Sequence, residues 1–200
     1  MQPRMTQIEA FILAGGASSR MGTDKSQLLL ENQTFVERIG NTLLTVTDSI
    51  RLVGYQENSN LPTVADVYPK WGALGGLHAA LSACRREWAI VVACDLPLVT
   101  AELFQHLASL DNEYDAIVPI QPDGRPQPLA ALYRADPCRR VATELIEAGR
   151  RRPLDLLEKV RTRWVDFLEI ANLPQAERFF VNINTPEDYD GAVRVLRRPD

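Results

Sequence analysis

Between Leu13 and Lys25 the chain places three glycines (Gly15, Gly16, Gly22), two serines (Ser18, Ser19), Arg20 and Lys25 within thirteen positions. Glycines let a backbone approach a ligand closely and adopt positive φ. Successive free N–H groups in such a loop can surround phosphate oxygens. Arg20 can fork onto a phosphate, while Lys25 offers a point charge. The spacing is not G-x-x-x-x-G-K-[ST], since Lys25 follows Asp24 rather than a glycine, and it is not G-x-G-x-x-G. A glycine-rich turn carrying surface charges is the plainer alternative. A second chemical position is Asp95, which follows the apolar run Trp88 to Ala93 and Cys94. Mg²⁺ takes one or two carboxylates and fills its remaining positions with substrate phosphates and water, a description that Asp95 suits. The alternative for Asp95 is a turn cap ahead of Pro97.

These residues need elements to hold them. Ile8 to Leu13 reads as a buried strand, and Thr34 to Leu44 as a helix with Phe35, Ile39 and Leu43 on one face. Ser49 to Val53 and Thr63 to Val67 read as strands, and Leu74 to Ala83 as a helix that begins after glycines. Trp88 to Ala93 is continuously apolar, as expected of a central parallel strand covered on both faces. Thr100 is positioned to cap a helix from Ala101 to Leu110. Asp115 to Pro119 and Leu129 to Tyr133 are further strands. Asp136 is placed to cap a helix with Pro137 at its first position and Gly149 at its end. A helix from Leu154 to Lys159, a strand from Trp164 to Leu168 and a helix from Pro186 complete the pattern. Strand, glycine loop, helix and strand in repetition imply an α/β fold. The expectation is one domain over residues 1–200, a mostly parallel sheet with helices on both faces. Ligands of such sheets sit at the carboxyl ends of the strands, which points to the loops after Leu13 and after Ala93.

Composition limits the function. The 200 residues are 46% hydrophobic and 24% charged with a net charge of -4, which argues against a nucleic-acid partner held by bulk electrostatics. The three cysteines (Cys84, Cys94, Cys138) form no CxxC pair and read as reduced thiols. His78 and His106 are isolated, so no zinc-ligand spacing arises. The apolar run from Ala10 to Ala14 is too short for a signal peptide or a membrane span, and a cytoplasmic location is expected. Arg150-Arg151-Arg152 is either a solvated basic face or a recognition element for an anion.

The run LAGGxSxRMGxDK, unbroken from Leu13 to Lys25, resembles the signature loop of the molybdenum cofactor guanylyltransferases, the MobA family. Further resemblances are scattered along nearly the whole chain. They are CDxPL at Cys94 to Leu98, Asp66 with Gly72-Ala73-Leu74-Gly75-Gly76, Gln127-Pro128-Leu129, and NINTPED at Asn182 to Asp188. Ala73 stands where the family has proline, and no asparagine matches the one usual after the second strand, where the chain reads Leu52 to Gln56. The resemblance implies a Rossmann-like nucleotidyltransferase fold. It also implies GMP transfer from GTP to the terminal phosphate of molybdopterin, or of molybdenum-molybdopterin, with Mg²⁺. Leu13, Ala14, Gly15, Gly16, Lys25, Asp66 and Asp95 would then bind the nucleotide, with Asp95 also holding the metal and Asp66 facing the guanine. Arg20, Lys25 and Asp95 would serve catalysis, and Gln127, Asn182 and Asn184 would lie toward the pterin. Cofactor-delivery and acceptor proteins are the implied partners, with neither nucleic acid nor membrane among them.

Cytidylyl transfer to the same cofactor, another small sugar or cofactor nucleotidyltransferase, and a non-catalytic GTP-binding module are the rival readings. Lys25 separates the catalytic readings from simple base recognition, because its expected contacts are to the outer phosphates. Calorimetry of Lys25→Ala should show GTP weakened more than GMP. Equal losses for the two nucleotides would place Lys25 elsewhere.

Overall fold

The computed structural model describes residues 7–14, 28–54, 60–110 and 113–197. The candidate residues Gly15, Gly16, Arg20 and Lys25 lie outside this set.

Strand β1 (Ile8–Leu13) is buried at all six positions, so both of its faces are covered. On one face Ile8, Ala10 and Ile12 pack with Val36, Ile39 and Leu43 of helix α1 (Phe35–Leu44) and with Leu103, Phe104 and Leu107 of α3 (Ala101–Ser109). On the other face Phe11 and Leu13 meet Leu74, Leu77 and Leu81 of α2 (Gly72–Ala83) and Cys138, Ala142 and Leu145 of α4 (Ala135–Glu147). Alternation of side chains along a strand dictates this division. The expected helices on both faces are therefore present.

The remaining strands are β2 (Leu29–Leu30), β3 (Gln33–Thr34), β4 (Ile50–Val53), β5 (Thr63–Val64), β6 (Trp88–Ala93), β7 (Ala116–Pro119), β8 (Ala130–Arg134) and β9 (Thr162–Val165). Among the described residues β1 and six of these form one sheet in the order β5-β4-β1-β6-β8-β7-β9. Every neighbouring pair is parallel except β6–β8 and β8–β7, so β8 alone runs against the rest. The expectation of a central parallel strand at Trp88 to Ala93 is half met: β6 is parallel to β1 and antiparallel to β8. Burial on both faces produces the same apolar run in either direction.

Helix starts also depart from expectation. Thr100 occupies the N-cap of α3, yet its hydroxyl makes no cap bond and is shielded from solvent without a partner among the described residues. Helix α4 begins at Ala135, not Pro137, because the Ala135 amide is already held by the Glu87 carbonyl at 2.8 Å. Asp136 turns instead to Arg139 and Arg140, at 2.8 and 3.2 Å. The strand expected from Trp164 to Leu168 stops at Val165. Asp166 and Glu169 form a reciprocal capping box there and start the short helix α6 (Phe167–Ile170). Helix α5 (Pro153–Leu157) is shorter than expected. The helix that begins at Pro186 is α7 (Pro186–Leu196), capped by Thr185 with Asp188 as the third helical residue.

The two-residue strands β2 and β3 pair antiparallel around Glu31 and Asn32, whose φ values of 51° and 64° suit a tight hairpin. Tyr189 of α7 donates from its hydroxyl to the Leu29 carbonyl at 2.7 Å, and Leu30, Phe35, Leu98, Ile183 and Ala192 form a small separate core. The C-terminal helix thereby fastens both the hairpin and the loop after β6.

A buried carboxylate closes the amino end of the sheet. Glu9 in β1 is 3% exposed and accepts from the Ser49 hydroxyl at 3.1 Å and the Arg85 amide at 2.8 Å. Arg51 approaches it at 4.0 Å and donates to the Ala83 carbonyl at 2.9 Å. Glu9→Leu should cost roughly 2–4 kcal/mol, because a buried amide loses its acceptor and Arg51 loses its counter-charge. Urea unfolding would show a lower midpoint at unchanged slope. A midpoint matching wild type would show that Glu9 does not hold this end of the sheet.

Candidate active site

The chain leaves β1 toward β4 on one side, goes out to β5, and returns through α2 to β6 on the other side of β1. Open α/β sheets bind ligands in the crevice beyond the carboxyl ends of the strands where such a reversal occurs, which places the candidate site at the ends of β1 and β6. The strand ends are level. Leu13 is paired with Val53 and with Ala93, the Ala14 amide donates to the Val53 carbonyl at 2.9 Å, and the Cys94 amide to the Leu13 carbonyl at 3.1 Å. Leu13 is buried and Ala14 half-buried, so these two candidates form the floor of the crevice.

Asp95 follows at the end of β6 and is half-buried. Its carbonyl accepts from the Ile183 amide at 2.9 Å. Ile183 is fully buried in the small core, and alternation in an extended segment sends its neighbours the other way. Asn182 and Asn184 are accordingly paired, with the Asn184 amide group donating to the Asn182 side-chain oxygen. The structure thus brings together Asp95, Asn182 and Asn184, which lie almost ninety positions apart in sequence.

Gln127 lies in the turn leading into β8. Its amide donates to the Pro119 carbonyl at 2.9 Å, and its side-chain oxygen accepts from Leu129 at 3.4 Å. Leu129 in turn accepts from the Ala93 amide at 2.9 Å, so Gln127 sits at the same edge of the sheet as Asp95, with its side chain folded onto its own turn.

Asp66 lies across the crevice, against the first turn of α2. Its carboxylate accepts from the Tyr68 amide at 3.2 Å. A Cβ on Gly75 would stand 3.7 Å from that carboxylate, and one on Gly76 would stand 3.4 Å from the Leu13 side chain. Gly75 thus lets the first turn of α2 lie close against the segment that carries Asp66, while Gly76 faces the Leu13 side chain at ordinary contact distance.

The arginine run divides. Arg150 forks onto the buried Asp155 at 2.8 and 2.9 Å and holds that carboxyl below the usual range. Arg151 stacks over the Trp71 ring at 4.5 Å from its centroid, and the Trp71 indole donates to the Arg150 carbonyl at 2.8 Å. Neither side chain is simply a solvated charge.

Sequence reasoning singled out neither Trp71, Tyr68 nor His78 as neighbours of the site. The paired glycines were the available signal, since a close backbone approach needs a side chain to approach. A Cβ on Gly75 would fall 2.8 Å from the Trp71 Cβ and 3.2 Å from the Tyr68 carbonyl. Gly75→Ala should therefore displace this corner and cost about 1–3 kcal/mol. Gly76→Ala meets only a flexible leucine end and should be neutral, or stabilising by up to about 1 kcal/mol. Denaturant midpoints of the two variants check the contrast; equal effects would contradict it.

The sequence profile of the MobA-like NTP transferase domain matches residues 10–162. A relative from Carboxydothermus hydrogenoformans, named "Probable molybdenum cofactor guanylyltransferase", is 32% identical over 195 residues, covering 96% of this chain and 98% of the relative. One of the same name from Flavobacterium johnsoniae is 32% identical over 188 residues, covering 92% and 95%. Among solved structures, molybdopterin-guanine dinucleotide biosynthesis protein A from Archaeoglobus fulgidus superposes with a TM-score of 0.81 at 24% identity, over 94% of this chain and 98% of that one. The 2-C-methyl-D-erythritol 4-phosphate cytidylyltransferase of Thermus thermophilus superposes at 0.69 and 16% identity, over 96% and 100%. Both structural likenesses speak to the fold alone. Taken with the crevice at the switch point, the profile and the two sequence relatives show that this chain belongs to the MobA-like NTP transferase family.

Proposed function

We infer that this chain transfers GMP from GTP to the terminal phosphate of molybdopterin, with or without bound molybdenum, and releases pyrophosphate. The observation that carries the reading is the level meeting of β1 and β6, with the Asp95 carbonyl bonded to Ile183 between Asn182 and Asn184 at one end of the candidate site and Asp66 beside the first turn of α2 at the other. A nucleotide spanning those two ends would present its base to one carboxylate and its phosphates to the other. The names of the relatives supply the identity of base and acceptor.

The chemistry needs little proton transfer. An oxygen of the acceptor phosphate attacks the α-phosphorus of GTP in line, the bond from that phosphorus to the bridging oxygen breaks, and its electron pair leaves on pyrophosphate. The acceptor is already anionic at neutral pH, so no general base is required. What the chain must do is position two polyanions and offset their charge. Arg20, Lys25 and the Gly15–Gly16 amides are assigned the β- and γ-phosphates, Leu13 and Ala14 the nucleotide's near side, and Gln127, Asn182 and Asn184 the pterin.

Asp95 would hold Mg²⁺. The donor fits that ion: one half-buried carboxylate at a strand end suits a cation that fills its remaining positions with substrate phosphates and water. Mg²⁺ would supply charge neutralisation at the substrate phosphates.

No helix among the described residues is long and apolar enough to cross a membrane. We assign the reaction to the cytoplasm, with proteins that deliver the pterin and accept the finished dinucleotide as partners.

The fold does not choose the base, since cytidylyltransferases share it. Asp66 favours guanine, because a carboxylate can accept from its N1 and N2 donors together and cytosine offers no such pair. Pyrophosphate release from a GTP, CTP and ATP panel with molybdopterin should favour GTP, and Asp95→Asn should lower that turnover by about 10²–10³-fold with the fold kept. A preference for CTP would replace the guanylyl reading, and near wild-type turnover in Asp95→Asn would remove Asp95 from the reaction.

A further inference from the structure

His78 is 5% exposed, sits one helical turn after Gly75 in α2, and has no part in the chemistry above. The Tyr68 ring meets its imidazole edge to face, with centroids 4.9 Å apart at 73°. The main chain of Tyr68 has two tasks. Its amide donates to the Asp66 carboxylate at 3.2 Å, and its carbonyl accepts from the Trp71 amide at 3.1 Å at the start of α2. The turn that holds the Asp66 carboxylate is therefore made by the same main chain that carries the Tyr68 ring.

The imidazole is itself fixed. Its Nε2 lies 3.0 Å from the Thr143 hydroxyl oxygen on α4, and that hydroxyl donates to the Arg139 carbonyl at 3.0 Å. A hydroxyl has one proton, so Thr143 accepts from His78, and the proton of the neutral ring is assigned to Nε2. The Ser82 hydroxyl stands 3.4 Å from Nδ1. Burial, and then the charge of Arg139, lower the His78 pKa against the opposing pull of Asp66. A neutral ring leaves the Asp66 carboxylate available to donors from a ligand.

We propose that His78 is a positioning residue for guanine selection: it braces Tyr68, and Tyr68 holds Asp66 aimed at the two donors of the base. The proposal rests on the reading of Asp66 as the guanine acceptor. It adds a residue that touches no substrate but sets the geometry of one that does. A site that hydrogen-bonds a substrate group discriminates strongly against an analogue lacking it, provided the acceptor is held in place.

Inosine triphosphate tests this, since it keeps the N1 donor of guanine and lacks the N2 amino group. The readout is the ratio of kcat/KM for GTP to that for ITP, with molybdopterin as acceptor. In folded His78→Ala and Tyr68→Leu the ratio should fall about tenfold, through the KM for GTP, while kcat stays within about twofold. His78→Phe keeps an aromatic face against Tyr68 and should recover most of the wild-type ratio. If His78→Ala does not fold, Tyr68→Leu and His78→Phe carry the test. A wild-type ratio in folded Tyr68→Leu or His78→Ala would overturn the proposal, as would equal losses for GTP and ITP. Asp66→Asn separates the two claims. If it collapses the ratio and the brace variants do not, only the brace is wrong. If it leaves the ratio intact, the reading of Asp66 is wrong and the brace falls with it.

Discussion

The parallel ladder between β1 and β6 stops where the Cys94 amide donates to the Leu13 carbonyl, and the rest of the site is arranged around that stop. In sequence β1 is followed by α1 and β4, and β6 by α3 and β7, so these two neighbours are continued on opposite sides of the sheet order. A strand pair of that kind is where open α/β sheets bind their ligands. Residues from distant parts of the chain reach it only because other contacts bring them. Ile183 is drawn in by its burial with Leu30, Phe35 and Leu98, and it delivers an asparagine on each side. Asp66 is held beside α2 because Gly75 leaves room for the Tyr68–Trp71 turn against the first turn of that helix.

The opposite end of the sheet shows what a closed end looks like. There Glu9, Arg51 and Ser49 are joined across strands, and Arg86 donates to the Ile8 carbonyl at 2.8 Å and pairs with Asp48 at 2.6 Å. Most polar groups at that end satisfy one another, the buried Trp88 indole N–H being an exception among the described residues. The two ends differ although the apolar core between them is continuous along β1 and β6, each buried at all six positions. Stability is therefore concentrated in the sheet and its amino end, and recognition at its carboxyl end.

Much of this was legible in the residues. The bounds of β1 and β6 could be read from the apolar runs because both are covered on two faces, and the asparagine pair could be placed on one side from alternation alone. The direction of β8 could not, since burial writes the same pattern for a parallel and an antiparallel neighbour. Caps were misread where tertiary contacts intervened: the Glu87 carbonyl holds the start of α4, and the Asp166–Glu169 box ends β9 early. Nothing in the fold explains the inward turn of the Thr100 hydroxyl. The contacts of His78 with Tyr68 and Thr143, and of Trp71 with Arg150 and Arg151, join segments separated by up to 80 positions, which local patterns do not record. The phosphate loop was the clearest chemical signal in the sequence, and of it Leu13 and Ala14 fall among the described residues while Gly15, Gly16, Arg20 and Lys25 lie outside them.

The central claim is the location of the nucleotide, and the most direct measurement is a crystal structure of the chain with a non-hydrolysable GTP analogue and Mg²⁺. The base should lie against Asp66 at the start of α2, with the phosphates beyond Leu13 and the metal on Asp95. Density for the nucleotide at the amino end of the sheet beside Glu9 and Arg85, or a base turned toward Asn182 and Asn184 with its phosphates at Asp66, would contradict it.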